Sequence, residues 1–97
     1  MRGKRSSRVT ITCHLSSNQE TQETLSPRIG FIINRAVGNS VTRHLVARRL
    51  RHLAKQVLPL LPKNSLLVVR AKPAAAQATS ELLAKDLDSS IKALMSA

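Results

Sequence analysis

Tyrosine and tryptophan are missing from this chain, and Phe31 is its one aromatic residue. That removes the largest core-filling side chains. It also argues against base stacking as the main grip on a nucleic acid. Cysteine is reduced to Cys13, so neither an intrachain disulfide nor a cysteine zinc cluster can form. The five acids lie at Glu20 and Glu23 and then between Glu81 and Asp88, which leaves the centre of the chain without a negative charge. No apolar run is long enough to span a membrane. The basic MRGKR start lacks the apolar stretch of a signal peptide. These absences predict a cytoplasmic protein with no membrane partner.

Sixteen Lys and Arg remain, for a net charge of +11 over 97 residues. The length fits a single domain, residues 1–97, with a small stability margin. An apolar content of 42% argues for a folded protein rather than a disordered tail. A field this positive favours anionic polymers, nucleic acid above all, through phosphate neutralisation and counterion release.

Residues 8–15, RVTITCHL, alternate with period two, which predicts a strand with Val9, Ile11 and Cys13 on one face and Thr10, Thr12 and His14 on the other. Residues 16–27 are polar and end in Pro27, so they read as a loop. Residues 28–34, RIGFIIN, read as a second strand, with Gly30 marking close packing or a bulge. The two strands are expected to be antiparallel neighbours. From Asn39 to Leu58 the period becomes helical: Val46, Leu50, Leu53, Ala54 and Val57 share one arc, and His44, Arg48, Arg51, His52 and Lys55 the other. Asn39 or Ser40 is placed to cap it, and Pro59 ends it. Arg43 breaks the pattern by lying towards the apolar arc. Residues 65–71, SLLVVRA, read as an interior strand. A last helix is expected over 74–95, with Leu82, Leu83, Leu87, Ile91, Leu94 and Met95 mostly on one stripe. The order strand, strand, basic helix, strand, helix predicts an α/β sandwich.

Little of this looks catalytic. Asp86 and Asp88 point in different directions along one helix and read as solvated surface, so no metal site is expected on the protein. His44 and His52 read as ordinary surface histidines ahead of contacts to phosphate or base edges, and Cys13 reads as a small core residue. GFIINRAVGN lacks the spacing and the terminal Lys-Ser/Thr of a phosphate loop. The basic helix is different. Mixed charges serve solubility as well as a uniform face does, whereas the arginine fork fits phosphates, and a helix N-terminus at Asn39 and Ser40 adds backbone donors.

Residues 35–51, RAVGNSVTRHLVARRLR, resemble the signature of the protein subunit of bacterial ribonuclease P. Arg35 stands at the leading basic position, Val37 and Gly38 form the turn, Ser40 and Val41 open the helix, Arg43 takes the first position of an Arg-Asn-Arg triplet, and Arg48, Arg49, Leu50 and Arg51 match the closing run. RIGFIIN, SLLVVRAKPAAAQATSELLAKDL and GKRSSRVTITCHL resemble the surrounding strands and last helix. The resemblance implies an α/β (α+β) two-layer sandwich, ribosomal protein S5 domain 2-like, with a left-handed crossover where general rules favour the right-handed one. It implies a non-catalytic subunit that assists a catalytic RNA in removing the 5′ leader from precursor tRNA, with Mg²⁺ bound mainly by RNA and substrate and no stable protein partner. The residues it points to for RNA binding are Arg35, Asn39, Arg43, His44, Arg48, Arg49, Arg51 and Lys55. For the leader it points to a face carrying Lys4, Arg5, Arg8, Thr12, His14 and Arg28. The alternative is a structural ribosomal-type RNA-binding protein with no role in cleavage.

The sequence departs from that family pattern at several places. His44 replaces an asparagine, Leu45 the second arginine, Ala47 a lysine, and His52 stands where an acid is common. The resulting expectation is a smaller grip on the catalytic RNA, or a shift of contacts to Lys55. Family members also begin with an extra helix that carries an aromatic residue, and this chain is expected to start after it.

Overall fold

The computed structural model describes residues 2–17 and 24–96. The acids Glu20 and Glu23, with residues 18–23 of the expected loop, lie outside the described residues. Four strands, β1 (Arg2–Ser7), β2 (Ile11–Ser17), β3 (Arg28–Ile32) and β4 (Ser65–Ala71), form one sheet in the order β1-β2-β4-β3. Two α-helices, α1 (Ser40–Val57) and α2 (Ser80–Met95), supply the second layer.

The strand order corrects one expectation. β2 and β3 are not neighbours, because β4 lies between them, antiparallel to β2 and parallel to β3. The parallel pair requires a crossover, and α1 provides it. β4 belongs in the middle because it is the strand with apolar side chains on both faces, with Leu67 and Val69 on one and Leu66 and Val68 on the other.

β1 was not expected as a strand. RGKRSS contains no apolar residue, so no alternation marks it, and it is held by a complete antiparallel register against β2 from Arg2↔Ser17 to Ser7↔Thr12. Lys and Arg are the residue types that protect an exposed edge from further pairing. The strand expected over 8–15 accordingly starts later, at Ile11, with the turn of the hairpin at its front. Val9 falls in that turn and is exposed instead of sharing a face with Ile11 and Cys13.

One side of the sheet carries the core. Ile11, Cys13 and Leu15 of β2 and Leu67, Val69 and Ala71 of β4 pack against Val46, Leu50 and Val57 of α1 and Leu83, Leu87, Ile91 and Leu94 of α2. The apolar arc expected for α1 is the face that is buried, with Leu53 half-buried at its margin. The second helix is shorter than expected. Pro73–Ala76 form a separate 3-10 turn, and α2 starts at Ser80 with the Thr79 side chain accepting from the Leu82 amide at 3.1 Å. Leu82 and Met95 at the two ends of its stripe remain exposed.

Asp86 is the second correction. It is buried, not solvated, and its Oδ2 accepts from the Thr10 amide at 3.0 Å and the Thr10 hydroxyl at 2.6 Å. Asp88 is exposed, with Lys92 one turn on at 3.0 Å. Gly30 is neither a bulge nor a close approach: a methyl group there would meet nothing within 4 Å.

Candidate nucleic-acid interface

α1 owes its start to three residues, Asn34, Gly38 and Asn39. In the turn before it, the Asn34 carbonyl accepts from the Val37 amide at 3.1 Å and the Asn34 side chain from the Ala36 amide at 3.0 Å. Gly38 then adopts φ 155°, open to glycine and rarely to other residues, with the Thr42 side chain packed against its Cα. Asn39 caps the helix, its Oδ1 accepting from the Thr42 amide at 2.9 Å. The capping oxygen of Asn39 is therefore already engaged, while Arg35 is exposed on the turn.

The expected RNA-binding residues of α1 divide between two flanks. On the side facing β3, Arg43, His44 and Arg51 line a shallow hollow of about 280 Å³ with Ile33, Ser40 and Ala47. Arg43 is half-buried, and its Nε is enclosed with no hydrogen-bond partner among the described residues. This is what its off-pattern position produces: the stem folds over the edge of the core. On the side facing the start of α2, Arg48 and Lys55 border a groove of about 580 Å³, with Arg51 shared between the two. Arg49 differs from its neighbours. It is half-buried and its Nη1 donates to the Ala78 carbonyl at 3.0 Å, tying α1 to the segment before α2. Among the described residues, no acid pairs with Arg43, Arg48, Arg51 or Lys55.

The uncovered face of the sheet holds the second set. The register places Arg5 directly across from His14, and Thr12 directly across from Arg70. These four, with Asn34 and Lys72, line a hollow of about 440 Å³. Arg5, His14 and Arg70 are exposed, whereas Thr12 is buried and its hydroxyl lies 3.2 Å from that of Ser7. Arg70 is not among the expected site residues, because an interior strand over SLLVVRA directs attention to its apolar side chains. The available signal was alternation, with Leu67, Val69 and Ala71 buried and Arg70 out of phase with them. Lys72 is less free, since its Nζ donates to Ser7 Oγ at 2.6 Å and to the Arg8 carbonyl at 2.5 Å.

The leader set does not all converge. Arg28 shares the open face, but it pairs with Leu66 at the far end of the strand and lines a separate small cavity near Leu25 and Asn64. Lys4 lies on the opposite face, across from Leu15 and beside Leu94 and Met95. Arg8 sits in the hairpin turn, where its Nη2 donates to the Ser89 carbonyl at 3.3 Å, so it braces α2.

Nothing in the described residues resembles a hydrolytic centre. No three His, Cys, Asp or Glu side chains gather there as metal ligands. Asp86 is committed to Thr10 and Asp88 to Lys92, so they do not form a convergent oxygen set for Mg²⁺. Burial pushes the Cys13 thiol up to about 11, against the opposing pull of the nearby Ser90 hydroxyl and the Arg8 charge, so it is a protonated core group and not a nucleophile. No helix among the described residues is long and apolar enough to cross a membrane. The arrangement is suited to holding phosphates at two cationic surfaces.

Residues 1–95 match the family model described as Ribonuclease P. The chain is 47% identical over 87 residues to the ribonuclease P protein component of a Nocardioides species, covering 90% of this chain and 74% of that one. To the ribonuclease P protein component of Streptomyces griseus it is 44% identical over 99 residues, covering 97% and 80%. Among solved structures it is similar to a Staphylococcus aureus RNase P protein mutant with defective mRNA degradation activity (TM-score 0.79, 21% identity, 94% of this chain and 74% of that one). The RNase P protein from Thermotoga maritima gives a TM-score of 0.73 at 17% identity over 95% and 81% of the two chains. At those identities the two structures speak for the fold.

Proposed function

Because this chain belongs to the ribonuclease P protein family, and so to the protein component of an endoribonuclease, we propose that it is a non-catalytic, RNA-binding subunit. It assists a catalytic RNA in cutting the 5′ leader from precursor tRNA in the cytoplasm. The observation that carries this reading is the pair of cationic surfaces, the outer face of α1 and the open face of the sheet, whose hollows no acid lines among the described residues. Arg43, His44, Arg48, Arg51 and Lys55, with Arg35 at the turn, hold the catalytic RNA. Arg5, His14 and Arg70 hold the leader, with Thr12 beneath them. Arg28 and the other cations of the leader set add charge rather than a shared pocket.

Mg²⁺ supplies the hydrolytic chemistry in this reading, and RNA and substrate bind it, since the carboxylates among the described residues do not converge. The chain's own part is electrostatic and geometric. Guanidinium groups neutralise phosphates that would otherwise repel each other across the two RNAs, and the rigid sheet fixes the leader relative to α1.

Reconstitution with ribonuclease P RNA tests this. The protein is expected to raise leader removal most at low Mg²⁺, where RNA alone is least able to neutralise itself. Binding to ribosomal RNA with no effect on leader removal would favour the structural alternative. Failure to bind ribonuclease P RNA would overturn the assignment.

A further inference from the structure

The groove between α1 and the start of α2 has an apolar component that an RNA contact leaves unused. Leu45 is 42% exposed there, and Leu53, two turns further along α1, is half-buried. A phosphate backbone offers these aliphatic groups nothing to pack against. The chain also has no tyrosine or tryptophan on which a base would stack. The apolar surface is small, so a partner that meets it must be recognised by charge as well as by apolar contact.

Arg48, His52 and Lys55 stand along the rim, and no acid among the described residues lines the groove. Its floor is held in place, because Arg49 is fixed on the Ala78 carbonyl at 3.0 Å across the α1–α2 junction. A site with aliphatic groups between cationic borders is complementary to an amphipathic helix whose apolar stripe is flanked by carboxylates. Leu45 and Leu53 are two turns apart, about 12 Å along the axis, so a short helix reaches both.

We propose that this groove docks an acidic amphipathic helix from a protein partner, with aliphatic side chains on Leu45 and Leu53 and carboxylates on Arg48, His52 and Lys55. The inference does not rest on the ribonuclease P reading, although the two share Arg48 and Lys55. Partner and RNA therefore compete for this flank of α1, whereas the hollow holding Arg43 and His44 stays open to RNA.

The test uses the full chain and a fluorescent synthetic peptide of about 15 residues, near the length at which an isolated helix becomes marginal, with leucines at i, i+4 spacing and glutamates elsewhere. A scrambled peptide of the same composition is the control. Anisotropy at moderate salt is expected to show the amphipathic peptide binding about tenfold more tightly than the scramble, as an ordered apolar contact requires. Leu45→Ala should remove most of that advantage and leave affinity for ribonuclease P RNA within about twofold, while Arg43→Ala should do the reverse. Equal binding of both peptides, or no binding of either, overturns the proposal. So does a Leu45→Ala variant that loses RNA affinity as severely as peptide affinity, because the leucines then serve RNA.

Discussion

Asp86 shows how far a single residue can depart from what its charge suggests. In a chain with eleven excess positive charges an acid on a helix reads as surface, yet this one is 8% exposed and accepts two hydrogen bonds from Thr10. The partner is 76 positions away, so no local pattern announces it. Asp86→Ala leaves a buried amide and hydroxyl unsatisfied, which typically costs about 2–4 kcal/mol in total. Urea denaturation should show that loss, with Asp86→Asn much milder because the amide oxygen still accepts. Cys13 gives the second prediction at this scale. The unfolded thiol ionises near its ordinary 9.0, whereas the folded one holds its proton to about 11. Its contribution is therefore complete below pH 9 and is lost as pH rises to about 11, amounting to about 3 kcal/mol. Other titrating groups cancel in the comparison, so the difference in unfolding free energy between the wild type and Cys13→Ala should shrink over that interval. A difference that stays constant would mean that the thiol is not shielded.

Elements were legible where the apolar residues set a period. α1 and β4 are where the sequence puts them, α1 because burying Val46, Leu50, Ala54 and Val57 requires the period that they show, and β4 because its short apolar run suits a strand inside the sheet. β1 was not legible, since Arg2–Ser7 gains its conformation from β2 and has no apolar residue of its own. The order of the strands was hidden for a related reason. Adjacency depends on which strand has two apolar faces to cover, a property of the assembled sheet. The start of α1 is the element on which the RNA face depends. A Cβ at Gly38 would lie 2.9 Å from Thr42 Cγ2, on top of the backbone strain at φ 155°. Gly38→Ala is thus expected to destabilise by more than about 1 kcal/mol and to tilt the turn that presents Arg35. RNA affinity should fall in this variant even where circular dichroism shows the fold retained, while Gly30→Ala, which meets open space, should change neither.

At the scale of the whole molecule, the two cationic surfaces make salt dependence the most informative measurement. Each phosphate neutralised contributes about 0.7–0.9 to the slope of log affinity against log salt. A charge total cannot say which of sixteen cations contribute, but the packing can. Arg48 and Arg51 are exposed and unpaired among the described residues, so Arg48→Ala and Arg51→Ala should each flatten the slope by about one phosphate. Arg43→Ala should weaken binding most, because the half-buried stem holds its guanidinium in one place and little ordering remains to be done on contact. Arg49, which the sequence groups with them, behaves differently because Ala78 already occupies it. Arg49→Ala should leave the slope unchanged and lower stability by about 1–3 kcal/mol, the cost of a carbonyl left without its donor. Measuring both quantities on the four variants separates the cations that meet RNA from the one that holds the two helices together. A slope change in Arg49→Ala equal to that of Arg48→Ala would place its guanidinium on the RNA and not on Ala78.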